Sequence, residues 1–409
     1  MVPNNRIEFF IALFLGAMIL TMKVSIALGN VFLGLAVAAA LYYVYQNRKG
    51  IKQIKEAIPF ERYYLIFSGL ILFSVLFSPD IKGSLTFFGG VYIWRYVLFL
   101  LIVYCLHSKK YLVNLLITIF ISAGIDSCMS AYQVIVGGEA RGIGLGSSGV
   151  VVLALAGILV MLLPVIFIAT ADKRVEPRLR MAALGTSLLV LGGLVFNNSR
   201  SAWLIAGLNV LVLSIGYIKR SWKAIMAILL VVFIASGVAV TQTNLKERTQ
   251  AMSNMKIERS SGDRVEVWKS SVLMIQDYPV VGVGLDQFKS VYLPLYRSKA
   301  EFQGLPHAHN NFLQMGVETG AIGLLGFVIF VFGSLITAFK KWYYTRNPYN
   351  LMLACVIMNY LVLFGLIEYS WGNSLGMKVF WMLLGILIKL AYTTEVENDL
   401  VFHEKKVKT

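Results

Sequence analysis

The residues best suited to chemistry in this chain are one histidine and a small set of arginines. His309 opens the stretch His309-Asn310-Asn311-Phe312-Leu313, where a long polar segment meets a hydrophobic run reaching Phe339. A neutral imidazole, with an ordinary pKa near about 6.5, can accept a proton from a hydroxyl at neutral pH, so this position suits a general base. Asn310 can cap the helix that follows, and Asn311 adds a second local donor and acceptor. Arg95, Arg141, Arg200 and Arg264 fall at or near the same side of the apolar segments as His309. A guanidinium stays charged and its planar fork matches phosphate oxygens, whereas lysine supplies a point charge, so this placement invites an anionic ligand.

Each arginine also has a plainer reading. Asp263 followed by Glu266 resembles a capping box, and Val265, Val267, Trp268, Val272 and Ile275 continue as an amphipathic helix. Arg264 then sits in a first turn, where free amides and the helix dipole favour an anion; alternatively it is a surface arginine beside Asp263 and Glu266. Arg200 follows Asn197-Asn198-Ser199 in a polar break between two apolar runs, with the Asn198 amide beside it. It either binds a ligand or snorkels to lipid headgroups. Arg95 lies about one turn inside a span, where basic residues are tolerated. Arg141 lies among Gly137, Gly138, Gly142, Gly144 and Gly146, which permit close backbone approach or simply a flexible turn, and Glu139 could neutralise it.

Helical spacing from His309 places Leu313, Gly316, Gly320 and Gly323 on one face, and Gly316-x-x-x-Gly320 suits close helix contact in a membrane. Glu318 falls near the opposite face and reads as a structural or lipid-edge group. His307 and His309 form a His-x-His pair, but the outer segments offer no convincing third and fourth ligands, so no metal site is expected. No Asp-x-Asp occurs, which removes the commonest carboxylate pattern for a metal-bridged sugar nucleotide. Asp126, inside an apolar run, has no obvious partner. Gly282-Val283-Gly284 after Tyr278-Pro279 reads as turn chemistry, and Cys105, Cys128 and Cys355 as packing residues.

The elements that must position these groups are membrane helices. Hydrophobic residues make up 58% of the chain and charged ones 14%, with mean hydropathy +0.72, well above soluble domains. In hydrocarbon each spanning backbone must satisfy its own hydrogen bonds, so an all-α polytopic membrane protein is expected. About twelve spans centre near residues 15, 35, 70, 99, 124, 160, 189, 209, 232, 325, 359 and 383. The first apolar run has no Ala-x-Ala-like site after it and is expected to remain as a span. Basic residues cluster at every second connector, which places both termini in the cytoplasm and residues 79 to 90, 137 to 148, 197 to 201, 242 to 309 and 368 to 374 outside. The net charge of +16 is spread over these connectors, which argues against nucleic acid as a partner. The organisation is then residues 1–241 with nine spans, 242–309 as a large outer loop, 310–392 with three spans, and 393–409 as a cytoplasmic tail.

These residues resemble the O-antigen ligase family, with its relatives among O-antigen polymerases and protein O-oligosaccharyltransferases. His309-Asn310, nine residues, then Gly320-Ala321-Ile322-Gly323 looks like the family's His-Asn-(nine residues)-Gly-x-x-Gly signature. Arg200 with Leu204 resembles its Arg-x-x-x-Leu element, and Gly262-Asp263-Arg264 through Trp268 to Gly282-Val283-Gly284 resembles its large-loop pattern. The resemblance implies a GT-C-like membrane glycosyltransferase with a partly helical periplasmic loop before the tenth span. It implies transfer of a glycan from undecaprenyl diphosphate to lipid A-core or another glycan acceptor, at the periplasmic face of the bacterial inner membrane, with no metal or other cofactor. His309 would be the base, Arg200 and Arg264 would stabilise the diphosphate, and Arg141, Arg95, Asn310 and Asn198 would bind substrate, with membrane lipids around the spans. A polymerase or a protein-directed transferase would share these elements. A transporter suits the span count, but no internal repeat or paired broken helices are evident.

Overall fold

A computed structural model describes residues 5–47, 55–146, 151–215 and 262–407. Its helices are α1 (Asn5–Thr21), α2 (Ile26–Gln46), α3 (Ile58–Val75), α4 (Ile81–Cys105), α5 (Lys109–Ile135), α6 (Val151–Ala171), α7 (Pro177–Asn197) and α8 (Arg200–Ile215). They continue with α9 (residues 262–277), a short π-containing α10 (residues 288–296), α11 (Asn311–Thr345), α12 (Pro348–Leu363) and α13 (Ser374–Val407). The chain is an all-α polytopic membrane protein, and eight of the described helices are long and apolar enough to cross a bilayer. Each expected span centre falls inside one of these helices except that near 232, which lies outside the described residues with Lys219, Arg220 and Lys223.

Burial distinguishes the middle of the bundle from its rim. α6 and the apolar part of α13 (Ser374–Val396) are almost wholly buried, as core helices must be, with Lys378 and Lys389 buried inside the latter. α3 lies against α11, α5 between α1 and α7, and α4 against α13. The aromatic core sits between α3, α4, α11 and α13: Trp371 packs its ring 5.3 Å from Phe67, 5.6 Å from Tyr92, 5.7 Å from Phe327 and 6.2 Å from Trp381. Such pairs, edge-to-face for Phe67, Phe327 and Trp381 and tilted for Tyr92, add to area burial, so the turn carrying Trp371 is a firm platform. Arg95 strengthens it, donating from Nη1 to the Trp371 carbonyl at 2.9 Å and from Nη2 to that of Gly372 at 3.2 Å.

Asp126 does have a partner. Lys23, in the turn after α1, forms a buried ion pair with its Oδ2, while Oδ1 accepts from the Leu145 amide at 3.2 Å. The two sequence-distant charges offset each other's desolvation. The pair also ties the loop after α5 to the α1–α2 turn.

The segment before α11 has a core of its own. Val267 and Met274 of α9 pack with Val283, Phe288, Tyr292, Ala308 and Val317. Val265 and Val272, expected on the apolar face, are exposed instead, because the buried stripe runs through Val267, Ser271 and Met274.

The glycine stripe expected along α11 does not form one helix face. Gly320 has φ 62° and ψ −163°, so the helix breaks there and the regular spacing of Gly323 from His309 is lost. The break is filled by residues 279–284. The Ala321 and Ile322 amides donate to Pro279 and Val280 carbonyls at 2.8 and 3.3 Å, and the Val283 and Gly284 amides donate to Val317 and Glu318 carbonyls at 2.9 and 3.0 Å. A Cβ on Gly320 would stand 2.3 Å from the Val280 carbonyl carbon, and one on Gly282 would stand 2.5 Å from that of Glu318. Gly282-Val283-Gly284 is therefore more than a turn: it is half of a backbone interlock that requires glycine on both sides. Gly316 faces Ile275 of α9, whereas Gly323, Gly326 and Gly333 meet the neighbouring span α3. Glu318 is buried beside this interlock, accepting from the Phe288 amide at 3.4 Å, and is not a lipid-edge group.

Candidate active site

His309 lies just before α11, outside the helix, with φ 48°. A left-handed conformation costs a β-carbon residue ~1–2 kcal/mol, so the surroundings must hold it there. Asparagine side chains do this. Asn310 caps α11, its Oδ1 accepting from the Phe312 and Leu313 amides at 2.8 and 3.1 Å, and its Nδ2 donates to the Leu366 carbonyl at 3.0 Å. Asn311 is fully buried: Nδ2 donates to the Leu361 carbonyl and Ser370 Oγ, and Oδ1 accepts from the Trp371 amide at 3.1 Å. The pair fastens His309 to the turn after α12.

That turn presents Glu368, a residue the sequence reading passed over. His309 Nδ1 lies 2.9 Å from Glu368 Oε2. Arg264 Nη2 reaches the same oxygen at 3.4 Å, and His307 Nε2 lies 3.9 Å from Oε1. Burial pushes the Glu368 carboxyl up, but the hydrogen bond with His309 and the nearby Arg264 guanidinium are among the contacts that outweigh it and hold it below the ordinary carboxylate range. It is thus ionised at neutral pH. A neutral His309 that donates Nδ1–H to this carboxylate presents its Nε2 lone pair outward, the tautomer a base needs. The only hint in the sequence was an acid set in the apolar context Leu366-Ile367-Glu368-Tyr369.

The arginines converge from separate segments. Arg264 lies in α9, and among the described residues Asp263 and Glu266 do not form the reciprocal cap expected of them. Asp263 accepts instead from the Phe302 amide at 2.8 Å, and Glu266 pairs with Lys269 at 2.7 Å. Arg141 donates from Nη2 to the Asn198 carbonyl at 2.9 Å and from Nε to that of Asn197 at 3.3 Å, so the glycine-rich loop is stitched onto the α7–α8 turn. Asn198 is left-handed at φ 54° and Asn197 donates to the Gly142 and Val152 carbonyls, closing the seam. Arg200 follows at the start of α8, exposed, and among the described residues pairs with no carboxylate. Partial desolvation lowers the Arg141 pKa, and the charges of Arg264 and Arg200 lower it further, which places each of those guanidiniums within electrostatic reach of Arg141. Glu139 forms no ion pair with Arg141 among the described residues. Arg95 is committed to the platform beneath the turn.

Two histidines and a carboxylate now stand together. One ligand atom from each of His307, His309 and Glu368 lies within 4.8 Å of the others, so the third group that the His-x-His pair lacked in sequence is supplied by the turn. Burial, and after it the neighbouring His309, lower the His307 pKa to about 4, against a smaller opposing pull from Glu368. His307 is therefore neutral at neutral pH.

Residues 185–328 match the family described as O-Antigen ligase. A Rickettsia conorii protein named as a candidate polysaccharide ligase is 25% identical over 227 residues, covering 52% of this chain and 51% of that protein. The chain thus spans about half the length of the curated relative it matches. The family segment includes Arg200, Arg264 and His309, while Arg141 and Glu368 lie outside it and join the site through the contacts above. Over that segment the chain is similar to the O-antigen ligase family, which supports the resemblance carried by Arg200, Arg264 and His309.

Proposed function

We propose that the protein is an inverting glycosyltransferase that moves a preassembled glycan from undecaprenyl diphosphate to lipid A-core at the outer face of the inner membrane, with both termini cytoplasmic. The observation carrying this reading is the His309–Glu368–Arg264 constellation, a histidine held by a carboxylate beside guanidiniums that outnumber their acidic partners among the described residues. In the reaction, His309 Nε2 takes the proton of the acceptor hydroxyl as its oxygen attacks the anomeric carbon. The bond from that carbon to the diphosphate oxygen breaks, and its electron pair leaves with the diphosphate. Attack opposite the departing group inverts the anomeric configuration.

Arg200, Arg264 and Arg141 counter the charge that grows on the leaving diphosphate, as fixed positive groups at the membrane rim. Glu368 holds the ring and balances the imidazolium once the proton has moved. Asn310 and Asn198 keep the two turns in register, and the apolar helices accommodate the polyprenyl chain. These steps draw their positive charge from arginine, so the scheme needs no metal.

The deciding experiment incubates the purified protein with lipid-linked glycan and, separately, lipid A-core, a second lipid-linked glycan or an acceptor protein. Labelled lipid A-core supports the ligase reading. Lengthening of lipid-linked chains without any labelled lipid A-core would replace it with a polymerase, and labelled protein with a protein-directed transferase.

A further inference from the structure

The proposed base is half of a second chemistry. We propose that His307, His309 and Glu368 form a capture site for zinc or a similar borderline divalent ion, and that filling it switches transfer off. The capture half stands on geometry alone; the inhibitory half rests on His309 being the base.

Two imidazoles and one carboxylate are a ligand set that zinc accepts, leaving a fourth position for water. Ligands at about 2.1 Å around a tetrahedral ion stand about 3.4 Å apart. His309 Nδ1 to Glu368 Oε2 is 2.9 Å and His307 Nε2 to Glu368 Oε1 is 3.9 Å, so the spacings bracket that value and small side-chain rotations reach it. The imidazole rings are 4.1 Å apart by centroid, close enough to share one ion. The ligands are also held from behind: Asn310 and Asn311 fix the two turns against each other, and the His309 amide donates to His307 Nδ1 at 3.3 Å. Oriented ligands of this kind raise metal affinity.

Arg264 decides which state is at rest. Its guanidinium already lies 3.4 Å from Glu368, where a dication would otherwise neutralise the carboxylate. The ion must displace it, so the site binds metal in competition with the arginine. Binding then removes three things at once: the Nδ1–H bond that sets the His309 tautomer, the free Glu368 carboxylate, and the position of Arg264. This makes the ion an inhibitor and not a cofactor.

The test uses the purified full chain in detergent. Zinc chloride is titrated by calorimetry, and cobalt(II) by visible absorption, on the wild type and on His307→Asn, whose side-chain oxygen can still accept from the His309 amide. One zinc per chain, a tetrahedral nitrogen–oxygen cobalt spectrum, and more than a roughly 10-fold loss of affinity in His307→Asn are expected. In transfer assays zinc should inhibit the wild type, chelation should restore it, and His307→Asn should transfer normally yet resist zinc. Absent binding, equal binding by the variant, or thiolate bands from exposed Cys128 would overturn the capture site. Zinc bound with transfer unaffected, or transfer that requires zinc, would overturn the inhibitory role. Zinc bound by a protein that transfers no glycan to any acceptor would leave the site standing and defeat the transferase reading.

Discussion

Replacing Glu368 by glutamine isolates what the carboxylate does for His309. The substitution keeps the size of the side chain, which is buried under the turn, and removes its charge. It converts a charge-assisted contact of 2.9 Å to a neutral one and lets an amide N–H face the ring, favouring the wrong tautomer. A hydrogen bond to a charged group contributes about 1.5–3 kcal/mol. At about 1.4 kcal/mol per decade, losing it from the transition state slows turnover roughly 10- to 150-fold. The assay is transfer from a lipid-linked glycan at saturating and limiting donor, with thermal unfolding measured alongside. The fall should appear in kcat, with donor KM changed little, because Glu368 touches the base and not the donor. Glu368→Asp shortens the side chain by one methylene and should fall between wild type and glutamine. A folded Glu368→Gln protein with wild-type kcat would refute the orienting role.

His309→Ala should abolish transfer while unfolding at nearly the wild-type temperature, and Arg200→Ala or Arg264→Ala should each cost at least about 10²-fold, as losses of single charge-stabilising donors do. Full activity in any of the three, in transfer assays, would remove that residue from the mechanism. Gly320→Ala should destabilise the protein by several kcal/mol, since the left-handed strain adds to a 2.3 Å clash with Val280, and thermal unfolding in detergent reads it. Lys23→Met should lower stability by about 3–5 kcal/mol by stranding Asp126, and Lys23→Met with Asp126→Leu should recover most of it. Acid should destabilise through His307. The unfolded imidazole takes its proton near 6.5 and the folded one only near about 4, so the unfolded state binds more protons between those values and stability falls as pH drops through that window. Unfolding temperatures of His307→Asn against pH should show a shallower acid limb than the wild type.

Much of this architecture is written in apolar segment length. The bilayer demands continuous helices, and so the expected centres coincide with helices wherever the chain is described. His309, Arg200 and Arg264 were legible because a titratable or charged group at an apolar boundary is unusual enough to stand out. Glu368 was not, because its partner lies 59 positions away and the contact depends on Asn310 and Asn311 gripping carbonyls of another turn. The Lys23–Asp126 pair, 103 positions apart, escaped for the same reason. The glycine stripe misled because periodic spacing assumes an unbroken helix, and Gly320 breaks it in favour of backbone pairing with residues 279–284. Likewise, Asp263 serves a tertiary contact with Phe302 in place of the local cap its spacing suggested.

The grip of Asn310 and Asn311 on residues 361–371 also sets an order of events during synthesis. Arg141, Arg200, Arg264 and His309 all leave the ribosome before the turn that holds Glu368. Until then His309 has neither its carboxylate nor the carbonyls that keep its backbone left-handed. A nascent chain halted before residue 361 carries the helices up to α11 and all four arginines, yet lacks the His309–Glu368 contact. The contact that would orient His309 as a base forms only when the turn carrying Glu368 is in place.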